Sequence, residues 1–312
     1  MNDQPDLDAS YALLRKVFPD NEHFQDDRYL SWWYRDNPYG AGIEHDLDEA
    51  GTRIAHTAYV PNRFVDIAAP PESNPLRGAL SCDSAVDPDL QRGGVFKKFQ
   101  NEASVAASAS GLEFGYGCAN WNSLVVFQKH LGWRHVQPLP VKVLVPTPTR
   151  NMPTSFALDA DGIASSLFQT VVADLDIHAA PGLHSEGNLD WYRWRCSSPT
   201  TRFSMHTSED AAIITTRVKH GGIPVAVIVR TIARRSDTTT SLRPLIAAAC
   251  KHHRAPLALY VGFNHAFAVR GITPPRKMLP SPLHMCVKSL QPHIDQDTLN
   301  FSSYELLDFD AY

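Results

Sequence analysis

The sequence reads as a mixed α/β protein, with α+β mixed sheets, made of two domains, and three observations lead there. An apolar strand ending at Ala85-Val86 is broken by Pro88 and Asp89, turns at Gly93-Gly94 and enters an amphipathic helix from about Val95 to Ser110. A second strand, Leu112 to Cys118, and a second helix ending near Gly132-Trp133 follow at once. Further on, Leu189-Asp-Trp-Tyr-Arg-Trp-Arg-Cys-Ser-Ser-Pro199 echoes Leu30-Ser-Trp-Trp-Tyr-Arg-Asp-Asn-Pro38, and strands, a helix, a strand and an asparagine follow both copies in the same order.

Taken in order, Ser10 is placed to cap a first helix with Tyr11, Leu14, Val17 and Phe18 on one side. Asp26 starts a second that buries Leu30, Trp33 and Tyr34 and stops before Pro38. Strands are expected over Arg53 to Val60 and Arg63 to Ile67, with Pro70, Pro71 and Pro75 in the loop before the central strand. Gly111 caps the helix that follows the glycine turn. After the strand Val141 to Val145, the proline-spaced stretch Pro146 to Pro153 reads as a linker, which divides the chain into domains 1–146 and 154–312. Beyond it come a helix over Ile163 to Leu175, strands at Ala211 to Val218 and Pro224 to Ile232, a helix from about Thr239 to His253, and the strand Pro256 to Gly262 running into Phe263-Asn264.

Composition closes off several classes. The 312 residues, 43% of them hydrophobic, suffice for two domains of about 150 residues each. A net charge of −4 with scattered basic residues predicts no nucleic-acid partner and no binding to an anionic membrane surface. No apolar run reaches the roughly 18 residues of a spanning helix, and Met1-Asn2-Asp3 lacks a basic signal start, so the expected location is cytoplasmic. Cys82, Cys118, Cys196, Cys250 and Cys286 show no CxxC spacing and read as buried thiols. The histidines lack HxxxH or HxH spacing, so no metal is expected. Neither a GxSxG elbow nor a P-loop lysine is present, and the glycines of Gly111 to Gly117 sit within a strand, the wrong context for a dinucleotide fingerprint.

The glycine turn carries the chemistry. The first N–H groups of a helix have no intrahelical partner and bear partial positive charge, so a phosphate set there meets several donors at once. The spacing Gln91-x-x-Gly94-x-Phe96 after Val86-x-Pro88 resembles the coenzyme A pyrophosphate loop of the GNAT superfamily of N-acetyltransferases, although Phe96 stands where that family has glycine or alanine. Asn120, Ser123 and Leu131-Gly132-Trp133 resemble its second motif, with Phe127 at the position where a tyrosine often serves as general acid. The resemblance implies two GNAT-like domains in tandem, the second degenerate because Arg234 to Thr240 offers no glycine where the first half has Gln91 to Gly94. It implies transfer of an acetyl group from acetyl-CoA to the primary amine of a small molecule by direct attack. Val86, Gln91, Arg92, Gly93, Gly94, Val95, Phe96, Asn120 and Ser123 would hold the coenzyme, and Trp33 and Tyr34 would line the acceptor site.

For the base, Asp83 stands first: it is a carboxylate in an otherwise apolar segment, beside the strand end that would face pantetheine. Asp308 and Asp310 follow, because alternation puts both on one face of a C-terminal strand. Cys82 has no adjacent histidine to make it a nucleophile. Partners are thus a small-molecule amine and, as one open oligomeric state, a second copy in a homodimer. Two other readings stay open: a CoA-binding module without turnover, and an aminoacyl-tRNA-dependent transferase of the Fem type.

Overall fold

A computed structural model describes residues 6–66, 70, 73–90, 94–150, 152–173, 181–233, 241–275 and 282–309. Helix α1 (Leu7–Val17) is capped by Asp6, whose carboxylate accepts from the backbone N–H of Asp8 and Ala9, while Ser10 is buried inside the helix. After a 3-10 turn at Glu22–Gln25, α2 (Tyr29–Arg35) begins one turn later than Asp26 would have it and buries Tyr29, Leu30, Trp32, Trp33 and Tyr34. Next comes β1 (Ile43–Glu49), an acidic strand absent from the sequence reading, paired antiparallel with β2. β2 (Thr52–Asp66) is one strand of 15 residues where two were expected. Pro61 does not break it, since the expected gap at Pro61-Asn62 pairs with Ala79 and Gly78 of β3 (Leu76–Val86).

The glycine turn leads into α3 (Val95–Ala109), then β4 (Phe114–Ala119), α4 (Trp121–Leu131) and β5 (Arg134–Pro138). β3 and β4 run parallel, as a strand-helix-strand crossover requires. Beyond them lie β6 (Val141–Leu144), β7 (Thr154–Ala157), α5 (Ala160–Ala164), α6 (Ser166–Ala173), β8 (Leu183–Ser185) and α7 (Leu189–Cys196). The single helix expected over 163–175 is split at Ser165, whose backbone is extended. The chain ends with β9 (Ser204–Thr207), β10 (Ala211–His220), β11 (Ile223–Ala233), α8 (Arg243–His253), β12 (Ala258–Asn264), β13 (His284–Ser289), β14 (Ser303–Glu305) and a 3-10 turn at Leu306–Asp308.

Two seven-stranded sheets result, and they exchange strands. In the first, order β1-β2-β3-β4-β13-β5, strand β13 from the second half lies between β4 and β5 and is antiparallel to both. In the second, order β14-β12-β11-β10-β9-β7, strand β6 from the first half pairs with β12. The linker at 146–153 therefore separates the halves along the chain, whereas the first sheet takes β13 and, paired with β2, its seventh strand β8 from beyond it, and the second takes β6 from before it.

The echoed helices α2 and α7 meet face to face. Trp32 Nε1 donates to the Trp194 carbonyl and Trp194 Nε1 to the Trp32 carbonyl, both at 3.0 Å, a reciprocal pair such as a pseudo-two-fold axis produces. That pairing matches Trp32 with Trp194, one helical turn away from the register in which Leu30 answers Leu189. Trp33 stacks on Trp194 with centroids 5.1 Å apart, and the buried Arg195 guanidinium lies 4.4 Å over the Trp33 ring. One continuous core, from Leu14 through Phe64, Tyr116 and Trp191 to Tyr304 and Leu307, spans both halves.

Candidate active site in the gap between two parallel strands

β3 and β4 pair only over Gly78-Phe114, Ala79-Gly115 and Leu80-Tyr116. Past Leu80 no further residue pair joins them, and where two parallel strands part an extended ligand can add its own hydrogen bonds. At the mouth of the gap β3 carries a bulge. Register against β2 shifts between His56 and Ala58, and Asp83 takes the left-handed conformation at φ 53°. A non-glycine residue held there stores local strain and re-aims its side chain.

The re-aimed Asp83 carboxylate accepts from Tyr34 Oη at 2.6 Å, and Tyr34 Oη is 3.0 Å from His56 Nε2. His56 Nδ1 lies 2.6 Å from Asp46 Oδ1, and Arg53 pairs with the other Asp46 oxygen at 2.9 Å. Tyr34 and His56 are fully buried, Asp83 partly so. Burial pushes the Asp83 carboxyl up from its ordinary value, against the bond from Tyr34 that pulls it down. Tyr34 is held well above a free phenol by burial and the Asp83 charge.

Below the gap, Gly94 sits at φ 80° as the residue before α3, with open space around it. The first turn of α3 contains no acidic residue, so nothing of its own competes for the free N–H groups of Val95 and Phe96. Phe96 turns its ring into the small cluster of Ala55, Val86 and Phe99, which explains how a bulky residue fits a position that favours a small one. Val86 is paired with Ala55 and buried in that cluster. Gln91, Arg92 and Gly93 lie outside the described residues, as do Arg234 to Thr240 and Asp310.

Asn120 caps α4, accepting from the Ser123 N–H at 2.9 Å, and the Ser123 hydroxyl turns back onto Asn120. Both thus shape the start of a helix at the end of β4. Phe127 packs on Trp133 at 5.0 Å in the core beneath α4. Trp33 is buried, and its indole N–H approaches the Cys82 thiol without making a hydrogen bond. Between Trp33, Leu80, Tyr116, Trp194 and Leu307 the halves leave a cavity of about 10 Å³, room for one water at most. Burial and the Asp83 charge raise the Cys82 thiol well above the usual range, which keeps it protonated.

Asp308 stands elsewhere in the network. Both its oxygens are bound by Arg230 Nη1 at 2.9 and 2.8 Å, one also by Ser185 Oγ at 2.6 Å, and the other by the Glu305 N–H at 2.8 Å. These bonds consume the carboxylate in holding the chain end against β8 and β11.

The second half repeats the geometry and fills it. β11 and β12 pair in parallel only over Ala226-Ala258, Val227-Leu259 and Ile228-Tyr260. The space beyond is occupied by the chain itself: Glu305 accepts from the Thr231 N–H and hydroxyl, and Asn264 donates to the Thr231 carbonyl and hydroxyl. A larger groove of about 790 Å³ opens between the turn after α1 and the second sheet, lined by His23, Arg202, Arg217, His252 and Arg254 among others. It is polar and solvent-facing and touches neither gap.

Three-stranded antiparallel pairing into β3, a crossover helix, and a parallel partner that diverges, present twice, define a pair of GNAT-like units. The comparisons agree: the chain has a tandem GNAT fold. It superposes on a GCN5-related N-acetyltransferase from Anabaena variabilis with TM-score 0.61 at 8% identity, covering 91% of this chain and 70% of that one. A tandem GNAT protein from the clavulanic acid biosynthesis pathway matches over 94% of this chain and 97% of its own, with TM-score 0.56 and 10% identity. Saccharomyces cerevisiae N-myristoyltransferase, solved with bound myristoyl-CoA, gives TM-score 0.58 at 7% identity over 92% of this chain and 80% of that one. No protein-family model and no curated protein matches the sequence. None of the described helices is long and apolar enough to cross a membrane.

Proposed function

We propose that the protein is an acyl-CoA-dependent N-acyltransferase that moves an acetyl group from acetyl-CoA to the primary amine of a small molecule, using the first half only. The observation that carries this is the β3–β4 pairing that stops at Leu80, with Asp83 on the bulge beyond it and Gly94 before α3, set against a second gap plugged by Glu305 and Asn264. The tandem GNAT fold supports it, as does the acyl-CoA bound by one structural relative.

The residues fit an extended coenzyme. Backbone N–H groups at the start of α3 would meet its pyrophosphate, with Gln91, Arg92 and Gly93 completing the turn, and the edge of β3 past Leu80 would take the pantetheine arm. An alkylammonium ion has a pKa near 10, so a proton must leave before the nitrogen attacks. Asp83 would accept it, and burial, which raises its pKa, would make it a stronger base than a surface carboxylate. The acceptor approaches on the exposed side of Asp83, since the space between the halves is filled.

The test is acetyl-CoA turnover against amino sugars, amino acids and polyamines, with Asp83→Asn as control. We expect CoA release with at least one amine, and a kcat about 10²-fold to 10³-fold lower in the variant with acetyl-CoA binding intact. Equal rates in both proteins would remove Asp83 from the chemistry. Coenzyme binding without release from any amine would favour a CoA-binding module.

A further inference from the structure

The chain Asp83, Tyr34, His56, Asp46 makes three consecutive contacts of 2.6, 3.0 and 2.6 Å. Every hydrogen bond needs a hydrogen between its two heavy atoms. A phenol brings one and a neutral imidazole one more, whereas two carboxylates bring none. Three contacts therefore demand one hydrogen beyond what these groups carry when both carboxyls are ionised and the histidine is neutral. Three arrangements satisfy all three. Asp83 is protonated and donates to Tyr34, which donates to His56 Nε2; or Asp83 is ionised, accepts from Tyr34, and His56 is an imidazolium; or Asp46 holds the hydrogen and donates to Nδ1. Arg53, paired with the other Asp46 oxygen at 2.9 Å, keeps Asp46 ionised and sets the third aside, and in the two that remain Nδ1–H faces Asp46.

We propose that Asp83 and His56 share this one stored proton through Tyr34, and that Asp83 becomes a base by passing it to His56. This rests on the transferase reading for its role but not for its existence. In the transfer the Asp83 O–H bond breaks as a new Tyr34 O–H forms, while the original Tyr34 O–H breaks as the His56 Nε2–H forms, so no tyrosinate appears. The freed carboxylate takes one proton from the ammonium substrate. Over a full turnover the nitrogen loses two protons, the departing sulfur keeps one, and one reaches solvent; the imidazolium delivers it through Asp46, the one member of the chain's far end open to water, at 17% exposure.

Charged and polar groups from several elements surround His56. Asp46 faces it from β1, together with Glu44, which is itself ion-paired with Arg35. Arg53 is held by Asp46 and Asp48, and Ser10 of α1 reaches both His56 and Arg53. At the other end Asp83 is next to the Cys82 thiol and within electrostatic range of His23. Tyr34 is accordingly a relay and positioning residue rather than part of the acceptor lining.

Imidazole ¹⁵N NMR of the full-length protein tests this without a substrate. In wild type at pH 7.5, His56 is expected to carry a substantial imidazolium fraction, lost in Asp83→Asn and altered in Tyr34→Phe, which keeps the ring and cuts the wire. A wild-type His56 that is fully neutral above pH 6, or one that titrates identically in wild type and Tyr34→Phe, overturns the proposal. Should Tyr34→Phe fail to fold, the wild-type and Asp83→Asn titrations decide alone. In turnover, Tyr34→Phe should lower kcat at least 10-fold and move the acid limb of its pH profile, with acetyl-CoA affinity unchanged; an unchanged profile overturns the catalytic role. A wild type that acetylates no amine sinks the transferase reading and leaves the NMR result to judge the stored proton.

Discussion

At the scale of single residues, Asp83 and Asp308 show how one side-chain type takes opposite tasks. Asp308 is bound on both oxygens by a buried arginine, so Asp308→Asn should lower stability rather than kcat per folded molecule. The expected loss is roughly 3 kcal/mol, the low end of the usual penalty for removing one partner of a buried ion pair, because Arg230 keeps Glu305 at 3.8 Å; chemical denaturation read beside turnover checks it. His206 and His253 set the acid limit. Burial pushes His206 down to about 3 and His253 to about 4, so both stay neutral in the folded chain while the unfolded chain takes up protons below its ordinary value of 6.5. Their contribution is present above pH 6.5 and is lost as pH falls through about 4 for His253 and about 3 for His206. Melting temperature should drop steeply across that window, and His206→Asn should flatten the fall; equal slopes would show that other groups control acid unfolding.

Among the elements, the glycine turn was the most legible because it is local: Gly94, the helix after it and the strand at Leu112 to Cys118 follow from backbone freedom and periodicity. The same holds for the reading of α2. β1 was missed because its Glu44, Asp46 and Asp48 alternate as a strand should but look like a solvated loop; the partners that neutralise them, Arg35, His56 and Arg53, lie elsewhere in the chain. The relay was hidden for the same reason. Tyr34 read as a pocket aromatic, since nothing in sequence says that a residue 49 positions on will turn its carboxylate toward it. Asp83 was legible as an unpaired carboxylate in an apolar strand, although its bulge was not. The turn itself carries a prediction. Gly94→Asp puts a β-carbon at φ 80° and an anion against the α3 N-terminus, and should weaken acetyl-CoA binding at least 10²-fold by calorimetry. Wild type should bind one equivalent, because Glu305 and Asn264 occupy the second gap; two equivalents would show that the second half is open.

For the whole molecule, the exchanged strands bear most weight. A fragment of residues 1–146 would lack β13 and leave facing edges of β4 and β5 unpaired, with β6 deprived of β12. We expect it to aggregate or to lack native circular dichroism, and recovery of activity on mixing with residues 147–312 would show that the borrowed strands are what it lacked. A folded, monomeric, active fragment would contradict this. The same feature governs how the protein is made. On the ribosome, β4 and β5 emerge early, yet the strand that fills the slot between them follows about 150 residues later, roughly 8 to 30 s at ordinary elongation rates. Until then an open slot of strand edges waits in the cell, and the nascent chain should bind holdase chaperones until His284 to Ser289 clears the exit tunnel; ribosome profiling of chaperone-bound nascent chains would show release near that point.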